Sequence, residues 1–574
     1  MQVKIKINDR EISVPEGTTI LEAARQAGIK IPTLCHHPAL QPEATCRVCL
    51  VEIKGHSRFA TACNTLVRAG DEIFTNTPAV REARKTVLEL ILAAHPQECL
   101  ICVRNQNCEL QRLADEYHLR EIPFELTAGN LPLCDDNPAI VWDPNKCIKC
   151  GRCVQVCQEI QQVGALNMRG RSGDYGMATA YELDLGATEC VYCGQCVNVC
   201  PVGALTEKDD TSKVWAALRD ETKQVVVQTA PAVRVALGEE FGLEPGEITT
   251  GQMIASLKRL GFERVFDTNF TADLTIVEES REFLQRLKDG GPLPLITSCS
   301  PGWINYLEHF YPELMSYVST CKSPQQMFGA LAKTYYAQKA NLDPENIFVV
   351  SIMPCLAKKY ECQRPEMQSS GFQDVDVVLS TRELAKMIKE VGLDFTSLPA
   401  EEYDEPLGDS SGAAIIFGAS GGVMEAALRT VYEMVTAREL KELDFKEVRG
   451  LEGIKEAALV LAGQKVRVAV ANSLGKAKIL LEEIKAGKSP YAFIEIMACP
   501  GGCLGGGGQP LGATDEIKEK RLQAIYQLDK EAKIRKSHEN PAIIKLYEEY
   551  LDHLLEHEVH ELLHTYYSRR KVYE

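Results

Sequence analysis

The spacing of hydrophobic and polar residues divides the chain into two regions. Near the N-terminus, Val3–Ile7 and Glu11–Val14 alternate apolar and polar positions as strands do, and Ile20–Ala27 has the spacing of a short helix. Beyond residue 211, short apolar runs alternate with amphipathic segments such as Thr381–Val391. The strands predicted there are Val225–Gln228, Val265–Asp267, Leu293–Ile296, Ile347–Ile352, Val375–Leu379, Val466–Ala471 and Phe493–Met497. This pattern predicts a small α+β unit followed by a large α/β domain with a parallel sheet.

The segment between these regions predicts two further modules. An amphipathic helix from about Val80 to Ala94 leads into a cysteine-rich stretch, and the Pro-rich residues 121–139 form a predicted linker. A second cysteine-rich stretch follows the linker. The predicted domains are therefore residues 1–78, 79–125, 138–210 and 211–574.

Composition and charge narrow the class of protein. A chain of 574 residues that is 45% hydrophobic is too long for one core and should form several domains. Its net charge of −17 disfavours nucleic acid or an anionic membrane surface as a partner. The N-terminus lacks the apolar stretch of a signal peptide, and no apolar run approaches the length of a membrane span. We therefore expect a cytoplasmic protein without membrane insertion.

The 22 cysteines indicate metal chemistry. Most of them lie in CxxC spacings in a long chain, which is typical of intracellular metal binding rather than of a disulfide framework. Sixteen cysteines precede residue 201 and six follow residue 298. The N-terminal third is therefore expected to carry several iron–sulfur clusters, and the remainder a different kind of site.

Residues 1–78 contain one close pair of cysteines flanked by two distant single thiols. The four positions are Cys35, Cys46, Cys49 and Cys63. Their order resembles plant-type ferredoxin and its [2Fe–2S] cluster, although the first gap is ten residues where the plant-type pattern has four. The longer gap is similar to the β-grasp ferredoxin domain of respiratory complex I and hydrogenases. A structural zinc site is the alternative, but its usual spacing is two CxxC pairs.

Residues 79–125 contain the motif HxxxCxxCxxxxxC. Its four candidate ligands are His95, Cys99, Cys102 and Cys108. Three thiolates and an imidazole suit Zn²⁺ as well as iron, so the chemistry alone leaves both open. The order of modules resembles the large iron–sulfur subunit of complex I and the N-terminus of large [FeFe]-hydrogenases. That resemblance implies that the histidine ligates a [4Fe–4S] cluster.

Residues 138–210 contain CxxCxxCxxxC twice, as in bacterial two-cluster ferredoxins. In that pattern the fourth cysteine of each run serves the other cluster. The first [4Fe–4S] cluster is therefore expected on Cys147, Cys150, Cys153 and Cys200. The second is expected on Cys190, Cys193, Cys196 and Cys157.

In the large domain, four thiols directly follow predicted strands. Cys299 and Cys355 follow one strand each, and Cys499 and Cys503 follow a third. Because ligands gather beyond the carboxyl ends of parallel strands, these three loops are expected to converge on one site. The glycines at 501, 502 and 505–508 leave room for a bulky group close to the main chain, which an iron–sulfur centre fits.

Three motifs of this domain resemble the signature motifs of [FeFe]-hydrogenases. They are TSCSPGW at 297–303, MPCLAKKYE at 353–361 and MACPGGC at 497–503. The resemblance covers essentially the whole chain and implies an enzyme that interconverts protons, electrons and H2. It implies an H-cluster, in which a [4Fe–4S] cube is joined to a two-iron unit with CO, cyanide and a dithiolate amine. It also implies one [2Fe–2S] and three accessory [4Fe–4S] clusters.

The same resemblance implies a role for each matching residue. Cys355, Cys499 and Cys503 match cube ligands, with Cys503 as the bridge to the two-iron unit, and Lys358 matches a lysine that hydrogen-bonds a cyanide. The apolar wall around the two-iron unit is matched by Ala230, Pro231, Met353, Phe417 and Met497. The proton route is matched by Cys299, Glu279, Ser319, Glu282 and Arg286. From the residue pattern alone, both glutamates would be ordinary exposed helix positions.

Ser300 departs from the family motif TSCCPxW, in which the second cysteine is the fourth cube ligand. A hydroxyl is a weaker iron ligand than a thiolate because it holds its proton more tightly. Three outcomes stay open. Ser300 ligates through oxygen, Cys299 ligates in its place and interrupts the proton route, or the cube binds weakly.

The sequence also indicates which partner subunits to expect and which alternative functions are open. Pro500, the Gly505–Gly508 run and the segments around His538 and His564 are similar to catalytic subunits of NAD(P)-linked, often electron-bifurcating hydrogenases. The Gly-rich residues 418–422 do not match GxGxxG, so flavin- and NAD(P)-binding iron–sulfur subunits or ferredoxin are expected as partners in a hetero-oligomer. The alternatives are an electron carrier or H2 sensor with an impaired H-cluster, and a complex I-like subunit.

Overall fold

A computed structural model describes residues 1–127, 129–172, 175–451, 453–461 and 463–571. The chain forms two compact units. The N-terminal unit comprises Met1–Glu159, Gly164–Thr188 and Val199–Thr206. The C-terminal unit comprises Ile160–Val163, Glu189–Asn198 and Glu207–Glu574. The second run of closely spaced cysteines is thus divided between the two units.

A five-stranded mixed sheet organises the start of the N-terminal unit, in the order β2-β1-β5-β3-β4. Strands β1 and β2 are antiparallel with Val3 opposite Val14, whereas β1 and β5 are parallel. Two further pairs, β6 with β9 and β7 with β8, lie later in the unit. The strands are β1 Gln2–Ile7, β2 Arg10–Pro15, β3 Leu50–Ile53, β4 Ala60–Thr61, β5 Glu72–Phe74, β6 Ile140–Trp142, β7 Asn167–Arg169, β8 Gly176–Ala178 and β9 Leu205–Glu207.

The first helix begins at a capping box. The Thr19 side chain accepts a hydrogen bond from the Glu22 amide, and the Glu22 carboxylate accepts one from the Thr19 amide. The predicted helix at 20–27 is therefore confirmed, one residue shorter at its end. The first five helices are α1 Ile20–Gln26, α2 Pro78–Ala93, α3 Glu109–Glu116, α4 Arg152–Gln155 and α5 Gln195–Val199. Residues 121–127 and 129–133 contain no helix or strand, in agreement with the predicted linker.

The C-terminal unit contains two four-stranded sheets. One has the order β11-β10-β13-β14 and is parallel throughout, and the other has the order β12-β17-β16-β15. The strands are β10 Gln224–Thr229, β11 Arg264–Asp267, β12 Leu295–Ile296, β13 Ile347–Met353, β14 Val377–Ser380, β15 Ile454–Leu461, β16 Gln464–Asn472 and β17 Phe493–Met497. All seven strands predicted for this region are present, and β15 was not predicted. The mixed α/β class is confirmed.

The expectation of a purely parallel arrangement is wrong at β15, which pairs with β16 in antiparallel fashion. The two strands are separated by two residues, and so short a connection cannot make a parallel crossover. Side chains of β15 are mostly half-buried or exposed, as suits the edge of a sheet. The central strands are buried on both faces, since Val226, Val227 and Val350 have no exposed surface.

Fourteen helices surround the two sheets in the described part of this unit. They are α6 Thr211–Arg219, α7 Thr250–Leu260, α8 Thr268–Asp289, α9 Pro301–Phe310, α10 Pro324–Leu331, α11 Ala337–Ala340, α12 Ala357–Glu361, α13 Thr381–Glu390, α14 Gly412–Ile415, α15 Gly422–Thr436, α16 Leu474–Lys485, α17 Asp515–Glu531, α18 Pro541–Glu549 and α19 Glu556–Leu563. Among the described residues, none of the helices has the length and apolar character that crossing a membrane requires.

Candidate metal centre and proton route

Three loops of the C-terminal unit meet around one cavity of about 90 Å³, which we call the thiol cavity. Cys299 follows β12, Cys355 follows β13, and Cys499 and Cys503 follow β17. All four side chains line the cavity. The structure thus brings together the four thiols that the sequence places at strand ends, although the strands belong to two different sheets.

The loop after β17 lies so close to its neighbours that it requires glycine. Gly502 has a φ of +72°, and a Cβ at this position would lie 2.7 Å from the Ser420 amide nitrogen. A Cβ on Gly507 would lie 2.6 Å from the Cys193 carbonyl oxygen. Larger residues would therefore push this loop away from the cavity.

The chemistry of the thiol cavity fits a metal cluster held by thiolates. Burial raises the pKa of Cys355, and burial together with the neighbouring Cys355 raises the pKa of Cys503 to about 12. Free thiols would therefore stay protonated here, whereas a bound metal cation stabilises the thiolate form. The five residues predicted for the apolar wall all line the cavity, namely Ala230, Pro231, Met353, Phe417 and Met497.

Ser300 also lines the thiol cavity. It lies immediately before α9, and its Oγ accepts a hydrogen bond from the Ala498 amide at 3.2 Å. Its hydroxyl therefore faces the same space as the three predicted cube ligands. The hydrogen bond also ties it to the loop that carries two of those ligands.

Lys358 is the one charged side chain in the lining formed by the described residues. Its Nζ donates to the Glu361 carboxylate at 2.8 Å and to the Cys299 carbonyl at 3.2 Å. Glu361 in turn accepts hydrogen bonds from Ser323 Oγ at 2.9 Å and Gln325 Nε2 at 3.1 Å. The ammonium group is therefore held in a fixed position at the edge of an apolar cavity.

Sequence reasoning missed Glu361 as a positioning residue for Lys358. The two residues are three positions apart on α12, a spacing that places them on one helix face and could have revealed the pair. Gln325 gave no such local signal, because it comes from α10.

One ferredoxin-type cysteine lies beside the predicted cube ligands. Cys193 lines the thiol cavity, and its carbonyl oxygen is 3.9 Å from the Cys499 sulfur. Gln195 Nε2 donates to the Gly505 carbonyl at 2.9 Å. Residues 189–198 thus pack against the loop after β17. No local pattern could predict this contact, because Cys193 and Cys499 are 306 positions apart.

Helix α8 places the two predicted proton-route carboxylates on one face, since Glu279 and Glu282 are three positions apart. The exposed position that the residue pattern predicted for Glu279 is wrong, because this side chain has no exposed surface. The reason is that α8 is enclosed along its first 13 residues, Thr268–Ser280, all of which are buried. Glu282 is also mostly covered, with 14% of its side chain exposed.

The predicted route residues lie next to one another. Glu279 Oε1 accepts from the Ser298 amide and hydroxyl at 3.4 Å, and Ser319 lies close enough to Glu279 to lower its pKa. Ser319 Oγ donates to Glu282 Oε2 at 2.9 Å. Arg286 donates to Glu282 Oε1 at 2.6 Å and has 12% of its side chain exposed. The contacts thus extend from the residue beside Cys299 towards solvent.

Glu279 is expected to be protonated at neutral pH. Burial, assisted by the negative charge of Glu282, raises the pKa of Glu279 to about 8. Glu279 Oε2 has no hydrogen-bond partner among the described residues and is buried. The protonated carboxyl can therefore donate at pH 7, and above pH 8 the ionised form can accept.

We expect the titration of Glu279 to appear in the pH dependence of turnover when the overpotential is held constant. A reaction that takes up protons through Glu279 uses its protonated form, so its rate should fall about tenfold for each pH unit above about 8. The reverse reaction uses the ionised form and should become faster over the same range. The measurement is protein-film voltammetry from pH 6 to 10 at constant overpotential. Profiles that stay flat between pH 7 and 9 would contradict the assignment of this proton site.

The four cysteines of residues 1–78 converge in the N-terminal unit. The Cys35 thiol lies next to those of Cys46 and Cys63, and the Cys63 thiol lies next to that of Cys49. The neighbouring Cys63 thiol lowers the pKa of Cys49 to about 7. The four sulfurs are therefore close enough to bind one group.

The structure brings together three of the four predicted ligands of the second module. His95, Cys99 and Cys108 line a cavity of about 400 Å³, whereas Cys102 is absent from that lining. His95 Nδ1 is buried without a hydrogen-bond partner in the described part of the chain, and burial lowers the pKa of the imidazole. A neutral ring with an unpaired nitrogen suits metal ligation.

The first ferredoxin-type set lies around a cavity of about 20 Å³. Cys147, Cys150, Cys153 and Cys200 line it, and Cys157 does not. The fourth position is therefore occupied by a cysteine of the second run, which agrees with the exchange of fourth ligands expected for two-cluster ferredoxins. Cys190, Cys193 and Cys196 of the other set belong to the C-terminal unit.

An apolar, thiol-lined cavity next to ferredoxin-type cysteines defines an iron–sulfur oxidoreductase. Comparisons with known families agree. Residues 223–507 match the family described as iron only hydrogenase large subunit, C-terminal domain, and residues 515–570 match iron hydrogenase small subunit. Three other regions match a 2Fe-2S iron–sulfur cluster binding domain, an NADH-ubiquinone oxidoreductase-G iron–sulfur binding region and a 4Fe-4S dicluster domain, at residues 1–78, 84–123 and 146–204.

Individual relatives extend this likeness to the full length. The chain is 49% identical to the NADP-reducing hydrogenase subunit HndD of Solidesulfovibrio fructosivorans, over 99% of both chains. It is 41% identical to iron hydrogenase 1 of Clostridium pasteurianum, over 98% of this chain and 100% of the relative. A solved [FeFe]-hydrogenase HydA1 from Chlamydomonas reinhardtii aligns with 63% of this chain and 99% of its own, at a TM-score of 0.57 and 45% identity. The chain belongs to the [FeFe]-hydrogenase family, whose members are enzymes that oxidise H2 and reduce protons.

Proposed function

We propose that this chain is the catalytic subunit of an NAD(P)-linked hydrogenase complex and that it holds its H-cluster in the thiol cavity. The reaction is the reversible reduction of two protons by two electrons to H2. The observation that carries the proposal is the convergence of Cys355, Cys499, Cys503 and Lys358 on one apolar cavity. When bound, the H-cluster supplies the electron and hydrogen chemistry. The chain supplies its ligands, a dry environment, a fixed cation and a proton route.

Each residue of the cavity has a proposed task. Cys355, Cys499 and Cys503 would hold the cube, and Cys503 would also be the link to the two-iron unit. Lys358 would compensate the negative charge of cyanide in an apolar cavity, where a fixed cation acts strongly. The apolar wall keeps water out. Cys299 passes protons between the site and the route that Glu279, Ser319, Glu282 and Arg286 form.

The accessory clusters are proposed to carry the electrons. The N-terminal cysteine sets and His95 would hold one [2Fe–2S] and three [4Fe–4S] clusters. The mixed sheet and the capped helix of residues 1–78 support a β-grasp domain there. The packing of Cys193 against Cys499 supports the cluster that Cys193 would help to hold as the last donor to the cube.

The proposed partners rest on the likeness of this chain to HndD. HndD is the subunit of an NADP-reducing hydrogenase, and the likeness to it covers the full chain. We propose that flavin- and NAD(P)-binding iron–sulfur subunits, or ferredoxin, exchange electrons with the N-terminal clusters in a hetero-oligomer. A cytoplasmic location suits thiols that must stay reduced. An electron carrier or H2 sensor with an impaired H-cluster is not favoured, because both full-length relatives are hydrogenases.

Infrared spectroscopy with iron counting on protein expressed together with maturation enzymes tests this proposal. The expected result is a set of CO and cyanide bands together with H2 turnover using a viologen dye. The matched control is Cys503→Ala, which should lose the bands while the accessory clusters remain. Fully iron-loaded accessory clusters without CO or cyanide bands in the unaltered protein would overturn the proposal.

Ser300 gives a more specific prediction. Because its hydroxyl shares the cavity with the three proposed cube ligands, we propose that it occupies the fourth ligand position. Thiolate is the softer and stronger iron ligand, so Ser300→Cys should raise the fraction of protein with a complete H-cluster, and turnover with it, by about tenfold.

The control for this prediction is Ser300→Ala, which removes the hydroxyl and keeps the backbone. Turnover and iron content should decrease in the order cysteine, serine, alanine. Equal values for serine and alanine would show that the hydroxyl does not ligate. A lower turnover for the cysteine variant would contradict the assignment of position 300 as a ligand position.

A further inference from the structure

A second cluster of metal-binding side chains lies where the C-terminal segment covers the end of the proposed proton route. Residues His560-Glu561-Leu562-Leu563-His564 follow the spacing HExxH, in which two histidines one helical turn apart offer their imidazoles to one metal ion. His560 lies in the last turn of α19, and His564 is the residue that directly follows the helix, with extended backbone. Their rings are stacked with centroids 4.7 Å apart and an angle of 11° between planes.

His564 meets two residues from distant parts of the chain. A ligand nitrogen of His564, the Cys321 sulfur and a Glu282 carboxylate oxygen all lie within 4.8 Å of one another. The backbone fixes this arrangement, because Cys321 and His564 form an isolated antiparallel bridge. Cys321 and Glu282 also approach directly, with 4.0 Å between sulfur and Oε2. Sulfur, nitrogen and oxygen thus point into one small space.

Both ring nitrogens of His564 have hydrogen-bond partners, and a metal ion could displace one of these partners. Its Nε2 lies 3.3 Å from the Glu278 carboxylate, which also accepts a hydrogen bond from the Tyr547 hydroxyl. Its Nδ1 lies 2.9 Å from the Thr320 hydroxyl, a neutral group that a metal ion can replace. Metal-binding histidines typically donate their second nitrogen to a carboxylate in this way.

The site is accessible from one side. Cys321 is fully buried, whereas the side chains of Glu282 and His564 are 14% and 12% exposed and His560 is exposed. Because His560 is exposed, its ring can leave the stack with His564, turn a nitrogen towards the ion and become the fourth ligand. One thiolate, two imidazoles and one carboxylate form the tetrahedral donor set that Zn²⁺ prefers, and four protein ligands leave no open position for catalysis at the metal.

We propose that Zn²⁺ binds to Cys321, His564, Glu282 and His560 and that it inhibits the enzyme. Binding releases the thiol proton of Cys321 to solvent and occupies the Glu282 carboxylate. Glu282 can then no longer relay protons between Ser319 and Arg286. The binding site stands on its own geometry, whereas the inhibition rests on the proposed function, because it requires protons to pass through Glu282.

The binding experiment is equilibrium dialysis of the iron-loaded protein against ZnCl₂ without oxygen, with zinc and iron counted together. We expect one zinc per chain with no loss of iron, and a zinc absorption spectrum that shows one sulfur ligand. His560→Gln and Cys321→Ala should each weaken binding at least about tenfold. His553→Gln, an exposed histidine just before α19, is the matched control and should bind like the unaltered protein. Equal zinc binding by all variants would overturn the site.

Turnover measured on the same samples separates the two parts of the proposal. H2 evolution by the matured protein should fall at least about tenfold as the zinc site fills, which corresponds to ~1.4 kcal/mol, and should recover when a chelator removes the zinc. His560→Gln should turn over normally without zinc and resist zinc at the same concentration. Zinc bound at this site without inhibition would overturn the link to the proton route. Absence of turnover in zinc-free protein would instead contradict the proposed function.

Discussion

Replacing Glu279 by glutamine is expected to lower H2 turnover by about 10³-fold, the range found for a positioned acid or base. Glutamine keeps the volume of the side chain and can still accept the hydrogen bond from Ser298. It cannot release and regain a proton at the carboxyl oxygen. Because Glu279 is fully buried on α8, the substitution leaves the proposed route without a replacement acid at this point.

The measurement is viologen-driven H2 evolution on matured protein, with infrared spectra of the same samples. Intact CO and cyanide bands would show that the loss concerns proton transfer and not the metal centre. Glu279→Asp keeps a carboxyl group at the same position and should recover part of the activity. Turnover of the glutamine variant equal to that of the unaltered protein would place the proton route elsewhere.

Replacing Lys358 by methionine is expected to lower turnover by about 10²- to 10³-fold, comparable with the loss of one fixed electrostatic donor in other active sites. Methionine preserves the length and the apolar stem but removes the charge at the edge of the thiol cavity. It also leaves the buried Glu361 carboxylate without its cationic partner. An anionic two-iron unit would then enter a cavity whose charge no longer favours it.

The infrared spectra of Lys358→Met should show weaker CO and cyanide bands in proportion to the lost activity. Lys358→Arg keeps the positive charge and serves as the control, with an expected turnover between those of the two other proteins. Equal turnover and equal band intensity for the methionine and unaltered proteins would exclude the proposed task of Lys358. If Lys358→Arg lost as much turnover as Lys358→Met, the shape of the side chain rather than its charge would determine the activity.

Much of the fold could be predicted because its signals are local. The strands around the thiol cavity are short apolar runs, and all seven predicted strands of the large domain are present. Helix α1 is preceded by Thr19 and has Glu22 at its third position, which is a capping signal that the sequence displays. Strand β15 escaped prediction although residues 457–461 are an apolar run, because periodicity alone does not distinguish a short apolar strand from a helix segment.

The sequence by itself determined which residues are candidates for the chemistry, because ligand spacing and strand-end position are properties of neighbouring residues. Cys355, Cys499 and Cys503 could therefore be predicted to share one site from the sequence alone. Only the tertiary structure decided the burial of Glu279, the anchoring of Lys358 by Glu361, and the approach of Cys193 to Cys499. Burial and long-range packing depend on how distant segments enclose one another, and that information is spread over the whole chain.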